Sequence, residues 1–144
     1  MKQVFTLVIA ILTAMFFISG LDKFTNIGKV AQGLQQRVPD ILSTAPPVFF
    51  TLAILTTAVL EVVAPLIMVY SAWTGEERRA ASLSAIALSI FTVLATLLYH
   101  FPPFGKVYYP FVSNMTTIGG LLLASGVFYA LDMVPSGLLK MAGF

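Results

Sequence analysis

Four long apolar runs alternate with short polar segments along this chain of 144 residues. The runs cover residues 4–21, 49–72, 80–98 and 112–131. A helix needs about 20 apolar residues to cross a bilayer, so each run is long enough. Helices of a soluble bundle carry a polar face at a period of 3.6 residues, whereas these runs are apolar nearly all round. The pattern predicts an all-α integral membrane protein with four spans in one domain.

The connections between the runs are mostly short, which favours an up-down-up-down four-helix bundle with both termini on one side. The first connection is longer. In residues 26–38 the apolar positions Ile27, Val30 and Leu34 recur at steps of three and four. This spacing predicts an amphipathic helix that lies in the membrane interface between spans 1 and 2 and ends before Pro39. An ordered loop packed on the bundle is the alternative.

The third connection, residues 101–111, contains three prolines among aromatic residues. We expect it to be non-helical and to form an aromatic belt or a lid over the bundle. The fourth run then begins close to Asn114, whose side chain is a candidate helix cap.

Composition supports the membrane interpretation and excludes several kinds of chemistry. Charged residues make up 10% of the chain, against roughly 25% in soluble domains. The net charge of +2 is too small and too dispersed to indicate nucleic-acid binding. The chain has no cysteine and one histidine, so disulfides and iron–sulfur ligation are excluded and no metal site is expected. In any redox role, a diffusible carrier or another subunit must therefore hold the electrons.

Glu61 is the residue that most needs an explanation, because it places a carboxylate in the middle of the second run. An ionisable side chain at the bilayer centre costs roughly 2.5–3.5 kcal/mol on insertion scales. Thr57 and Pro65 lie one turn before and after it, on the same helix face. Pro65 has no N–H and therefore frees the carbonyl oxygen of residue 61. These residues predict a polar site inside the bundle.

Three further polar residues lie close to the ends of spans: Ser19, beside Asp22 and Lys23, then His100 and Asn114. The up-down topology places His100, Asn114 and the Asp22/Lys23 pair on one side of the membrane. The long side chain of Lys23 can reach inward to the carboxylate. Each candidate also has a structural interpretation. Glu61 can be a buried acid that fixes helix register, hydrogen-bonded to Thr57 or Asn114, and His100 can be an ordinary interfacial histidine.

The ordered set of motifs resembles the DoxX family of small four-span membrane proteins. The set comprises an aromatic–glycine–lysine end to the first span (residues 16–24), Glu61 in the second, Arg79 opening the third, His100–Phe101 closing it, and Asn114 followed by Gly119–Gly120 in the fourth. The resemblance covers nearly the whole chain. One departure is Ala64–Pro65, where the family usually has glycine after the glutamate.

The resemblance implies a bacterial inner-membrane protein linked to oxidative or sulfur metabolism, similar to the membrane subunit of a thiosulfate:quinone oxidoreductase. Animal relatives act as receptor-assembly chaperones, so family membership does not fix the reaction. A quinone needs an apolar slot, a proton donor at its head group and access from lipid. We expect Glu61 and His100 to be catalytic, and Lys23, Thr57 and Asn114 to bind the quinone together with Glu61.

The leading hypothesis is therefore a membrane subunit of a quinone-linked complex that does not catalyse alone and has lipids and other protein subunits as partners. A non-enzymatic scaffold or assembly factor is the alternative. A small-molecule or proton carrier is a third hypothesis, for which the spans offer few polar groups.

Charge does not decide the orientation, because basic residues divide evenly between the two sides. One side has Lys2, Arg78, Arg79 and Lys140, and the other has Lys23, Lys29, Arg37 and Lys106. The paired arginines in the shortest loop and the family resemblance favour cytoplasmic termini.

Overall fold

Helices form every regular element in the part of the chain that the computed structural model describes, residues 1–39 and 43–141. In chain order the elements are α1 (Lys2–Thr25), α2 (Ile27–Gln35), α3 (Pro47–Thr74), α4 (Arg78–His100), a 3₁₀ turn (Gly105–Val107), α5 (Tyr108–Met133) and α6 (Ser136–Met141). The all-α prediction is confirmed for these residues.

Four of these segments are long and apolar enough to cross a membrane: α1, α3, α4 and the segment Gly105–Met133 that contains α5. Their outer surface carries large apolar side chains such as Leu7, Leu52 and Leu122, which are more than half exposed. Alanine, serine and threonine are prominent among the buried residues. Large apolar groups outside and small ones between helices are typical of proteins in lipid. The four predicted spans are thus confirmed, and the chain is a multi-pass membrane protein.

Two helices begin earlier in the chain than the predicted apolar runs, and each has a proline in its first turn. Pro47 begins α3. The first N–H groups of a helix have no partner within the helix, so a proline, which has no N–H, loses no hydrogen bond at this position. The prediction of a non-helical segment at residues 101–111 is wrong from Gly105 onward, where a 3₁₀ turn leads into α5. Pro110 lies in the first turn of α5, where it is tolerated for the same reason.

The early start of α5 also changes the interpretation of Asn114. The helix begins at Tyr108, so Asn114 lies in its second turn and cannot be its N-cap. The cap interpretation is therefore wrong. At the same end of the molecule α2 stops at Gln35, three residues before the predicted end at Val38.

Small side chains let α4 and α5 approach closely. Ala81, Ala85 and Ser89 on α4 are buried. The Ser82 hydroxyl lies 2.9 Å from the Ser125 hydroxyl and donates to the Ser125 carbonyl oxygen at 3.1 Å. The small-residue stripe of the third span is therefore used for packing within the chain.

At Gly20, α1 approaches α3 closely. A Cβ atom at this position would lie 2.8 Å from Val62 Cγ2 and 3.0 Å from both the Ala58 carbonyl oxygen and Glu61 Cβ. The carbonyl belongs to the helix backbone and cannot move aside as a side-chain end can. Glycine is therefore required here for the two helices to meet beside Glu61.

The short helix α2 packs on the first turns of α3. Ala31, Phe50 and Ile54 form a small buried cluster, against which Val30 and Leu34 pack. The apolar positions identified in the sequence thus contact the protein, and they place α2 beside the half of α3 that leads to Glu61.

We expect Gly20→Ala to lower the free energy of unfolding in detergent by about 1–3 kcal/mol, because overpacking a tight contact forces the backbones apart. Gly126→Ala is the matched control, since Gly126 is exposed on α5 and a Cβ there meets no atom within 4 Å. Thermal unfolding of both variants measures the difference. Equal midpoints for the two variants would contradict the close contact at Gly20.

Candidate functional site

A cavity of about 500 Å³ lies where α1, α2, α3, α4 and α5 meet. Its walls are mostly apolar. Four of the five residues predicted for the site line it: Lys23, Thr57, Glu61 and Asn114. The structure therefore brings together, from three different helices, polar groups that the sequence placed in the middle of a span (Glu61) and near span ends (Lys23 and Asn114).

Glu61 and Lys23 form an ion pair in the wall of this cavity. Glu61 is 3% exposed and the Lys23 side chain 16% exposed. The Lys23 Nζ atom donates to Glu61 Oε2. A buried charge without a partner is strongly destabilising, so each group makes the burial of the other tolerable. The structure confirms that the lysine side chain reaches inward to the carboxylate.

Ser19 and Phe91 complete the surroundings of the lysine. Lys23 Nζ donates to the Ser19 hydroxyl at 3.3 Å, and that hydroxyl donates to Glu61 Oε1 at 3.5 Å. The Phe91 ring centroid lies 5.1 Å from Nζ, within range of a cation–π contact. Ser19 and Lys23 share a face of α1 because they are four residues apart. The ammonium group thus has a carboxylate, a hydroxyl and an aromatic ring around it.

Thr57 and Asn114 line the cavity but do not bond to Glu61. The Thr57 hydroxyl donates to the Ile54 carbonyl oxygen at 2.9 Å. Asn114 Nδ2 donates to the Thr96 hydroxyl at 2.9 Å. The expectation that either residue is the hydrogen-bond partner of Glu61 is therefore wrong. Lys23 and Ser19 have that role, because α1 approaches α3 closely at this level.

His100 lies apart from these groups. It is the last residue of α4 and is not among the residues that line the cavity. Its Nδ1 atom is buried and has no hydrogen-bond partner among the described residues. The geometry of the cavity gives no support to a catalytic role for His100 with Glu61. That role stays a prediction.

The cavity reaches the outer surface of the helices. Met15 on α1 and Leu94 on α4 both line it, yet they are 50% and 61% exposed. Both lie well inside segments that are able to cross a membrane. The cavity therefore opens on the apolar outer surface of the helices, beside these two side chains.

Sequence reasoning did not assign Ser19, Phe91 or Tyr99 to the site. The spacing of Ser19 and Lys23 is a signal that would have identified the serine as a partner of the lysine. Phe91 resembles any other apolar residue of its span, so no pattern distinguishes it. Tyr99 lines the cavity while its ring lies 4.7 Å from the Arg37 guanidinium carbon.

No protein-family model, curated protein or solved structure matches the chain. Among residues 1–39 and 43–141, no group of three acidic, histidine or cysteine side chains is placed to hold a metal ion. The site is therefore characterised by its own geometry: an apolar cavity with one buried ion pair, open at its side.

We expect Lys23→Met and Glu61→Leu, each alone, to lower the free energy of unfolding by about 3–5 kcal/mol, because each leaves a buried charge without its partner. The double variant replaces both charges by apolar groups and should recover most of this loss. Unfolding in detergent measures the coupling. Lys29→Met, at an exposed lysine of α2, is the control, and single variants no less stable than this control would contradict the role of the pair.

Proposed function

We propose that this protein is a membrane subunit of a quinone-linked redox complex and that its cavity receives the quinone head group. The observation that carries the proposal is the cavity itself, about 500 Å³ in volume, with the ion pair of Glu61 and Lys23 in its wall and its mouth beside Met15 and Leu94. Cavities of roughly 300–1,000 Å³ are the usual size for small ligands. A lateral mouth suits a molecule that enters from lipid.

Each part of a quinone has a corresponding part of the cavity. The apolar ring and tail suit the apolar walls, with the tail leaving between Met15 and Leu94. The polar head group suits the wall that carries Glu61, Lys23 and Asn114. When bound, a quinone supplies reversible uptake of two electrons and two protons. Glu61 is the group placed to exchange a proton with it, and a partner subunit supplies the electrons.

The proposal includes a DoxX-like topology. Contacts between helix ends support an up-down-up-down bundle. Lys2 Nζ donates to the Thr74 carbonyl oxygen at 3.4 Å, joining the start of α1 to the end of α3. Arg78 donates to the Leu131 carbonyl oxygen at 2.9 Å, joining the start of α4 to the end of α5. Both helix pairs are then antiparallel, and both termini lie on one side.

We place those termini on the cytoplasmic side of a bacterial inner membrane, with α2 in the opposite interface. Because the chain has no cysteine, single cysteines report orientation cleanly. Lys106→Cys should react with an impermeant thiol reagent in spheroplasts, and Glu76→Cys only after the membrane is permeabilised. Both residues are exposed. The reverse pattern of labelling would overturn the orientation.

A non-enzymatic scaffold or assembly factor is the second candidate. This candidate is favoured by the contacts of Lys23 with Glu61, Ser19 and Phe91. The ion pair among them joins α1 to α3. The contact at Gly20 serves the same purpose. In this case the ion pair fixes helix register and a partner protein recognises the outer surface.

One substitution separates the two candidates. Glu61→Gln keeps the size of the side chain and can still accept from Lys23, but it cannot carry a proton. Under the redox proposal the variant assembles normally and loses quinone-linked electron transfer in the purified complex. Asp132→Asn, at an exposed acid on α5, is the control and should keep full activity.

The binding step can be examined without partners. An azido-quinone, activated by light on the purified protein in nanodiscs, should label peptides of α1 and α4 near Met15 and Leu94. Competition by unmodified quinone should remove the label. Full activity of Glu61→Gln would exclude Glu61 as the proton carrier. Absence of competed labelling would favour the scaffold.

A further inference from the structure

Several polar groups of the cavity wall can only accept hydrogen bonds from a ligand. The Thr57 hydroxyl donates to the Ile54 carbonyl oxygen at 2.9 Å, and the Thr92 hydroxyl donates to the Leu88 carbonyl oxygen at 2.7 Å. A hydroxyl group has a single hydrogen. Both threonines line the cavity, and each therefore has only oxygen lone pairs left for a ligand.

Asn114 is oriented by a chain of buried hydroxyls. The Thr96 hydroxyl is fully buried and donates to the Thr92 carbonyl oxygen at 2.6 Å. With its only hydrogen used, it can interact with Asn114 only as an acceptor. The amide must therefore turn Nδ2 toward Thr96, at 2.9 Å. Asn114 Oδ1 is directed away from Thr96 and has no partner among the described residues.

The ion pair adds another acceptor. The carboxylate of Glu61 can only accept, and its Oε1 atom receives one long hydrogen bond, 3.5 Å from the Ser19 hydroxyl. Lys23 is the obvious donor, but two of its three N–H groups already donate to Glu61 and Ser19, and its ammonium group lies 5.1 Å from the Phe91 ring centroid. Most of the donor capacity beside the ion pair is thus used within the protein, and spare acceptor capacity remains.

We infer that the cavity selects amphipathic ligands whose polar end donates hydrogen bonds, and that their class is phenols, including hydroquinones. Thr57, Thr92, Glu61 and Asn114 offer acceptors. Against these stand three remaining N–H or O–H groups: the second N–H of Asn114, the hydroxyl of Tyr99 and the third N–H of Lys23, which lies on the side of the Phe91 ring. A hydroxyl on the ligand pairs with the acceptors, whereas a carbonyl or ether oxygen leaves them without partners in an apolar cavity.

This inference rests on the proposed function in one respect: it makes the reduced, hydroxyl-bearing form of the carrier the one that the site holds more tightly. It also stands without a redox reaction, because hydrogen-bond polarity alone determines it. The aromatic rings of Phe91 and Tyr99 in the wall suit an aromatic ligand body.

The test compares two ligands of nearly the same shape on the unmodified protein. Para-nonylphenol donates one hydrogen bond, and its methyl ether donates none. Calorimetry of the purified protein in micelles should show about tenfold or tighter binding of the phenol, the effect of one hydrogen bond that would otherwise be lost. Equal affinities, or binding of neither probe, would overturn the inference.

Single substitutions in the cavity wall then show which residues cause the preference for the phenol. Asn114→Leu removes an acceptor and should reduce the preference for the phenol severalfold. Ser113→Ala, at the exposed neighbouring position, should leave it unchanged. Tyr99→Phe removes a donor and should keep or increase the preference. A preference that is unaffected by Asn114→Leu would overturn the assignment of Asn114 as a selecting residue.

Failure of this inference is distinguishable from failure of the proposed function. Competed labelling by azido-quinone together with equal binding of decylquinone and its hydroquinone would leave the function standing and overturn the donor preference. A clear preference for the phenol without any competed quinone labelling would overturn the proposed function and leave the donor preference standing. It would identify a site for phenols or related hydroxylated amphiphiles that is not a quinone site.

Discussion

The ion pair between Glu61 and Lys23 is the interaction on which the arrangement of the helices depends. Two opposite charges at membrane depth are tolerable only if they meet, and their contact fixes both the rotation and the depth of α1 against α3. Gly20 makes the approach possible because it leaves no Cβ between the backbones. The same close approach holds Ser19 at the carboxylate, and Phe91 of α4 lies beside the ammonium group. The polar part of the cavity is therefore a product of helix packing.

The parts of the fold that follow from the thickness of a bilayer were predictable from the sequence. A membrane span requires a continuous apolar run, so four runs gave four helices. The meeting of Lys23 with Glu61 was also predictable, since a buried carboxylate needs a cation and a lysine at a span end has the reach to supply it. The cavity was not predictable in this way. Its volume depends on how Met15, Phe91 and Leu94 pack across different helices, which no local pattern records.

Asn114 illustrates how a local rule fails when tertiary contacts compete with it. Its place near the start of an apolar run is typical of a cap, yet α5 extends back to Tyr108 and includes Pro110 in its first turn. The side chain was then available for a partner on another helix, the Thr96 hydroxyl. The threonines of α4 have no signature in the sequence either, because a threonine in an apolar span is usually a residue that bonds its own backbone. Their effect arises only in combination with Asn114.

The attachment of α2 has a consequence for the size of the space it helps to enclose. Val30 and Leu34 form part of the cavity wall, although this nine-residue helix is too short to cross a bilayer. A single residue, Asn26, joins it to α1, and beyond its far end Arg37 rests on the ring of Tyr99. One wall of a cavity between the long helices is thus supplied by an element that is not one of them. The dimensions of that cavity consequently depend on how Asn26 and Arg37 hold α2 as well as on the packing of the four long helices.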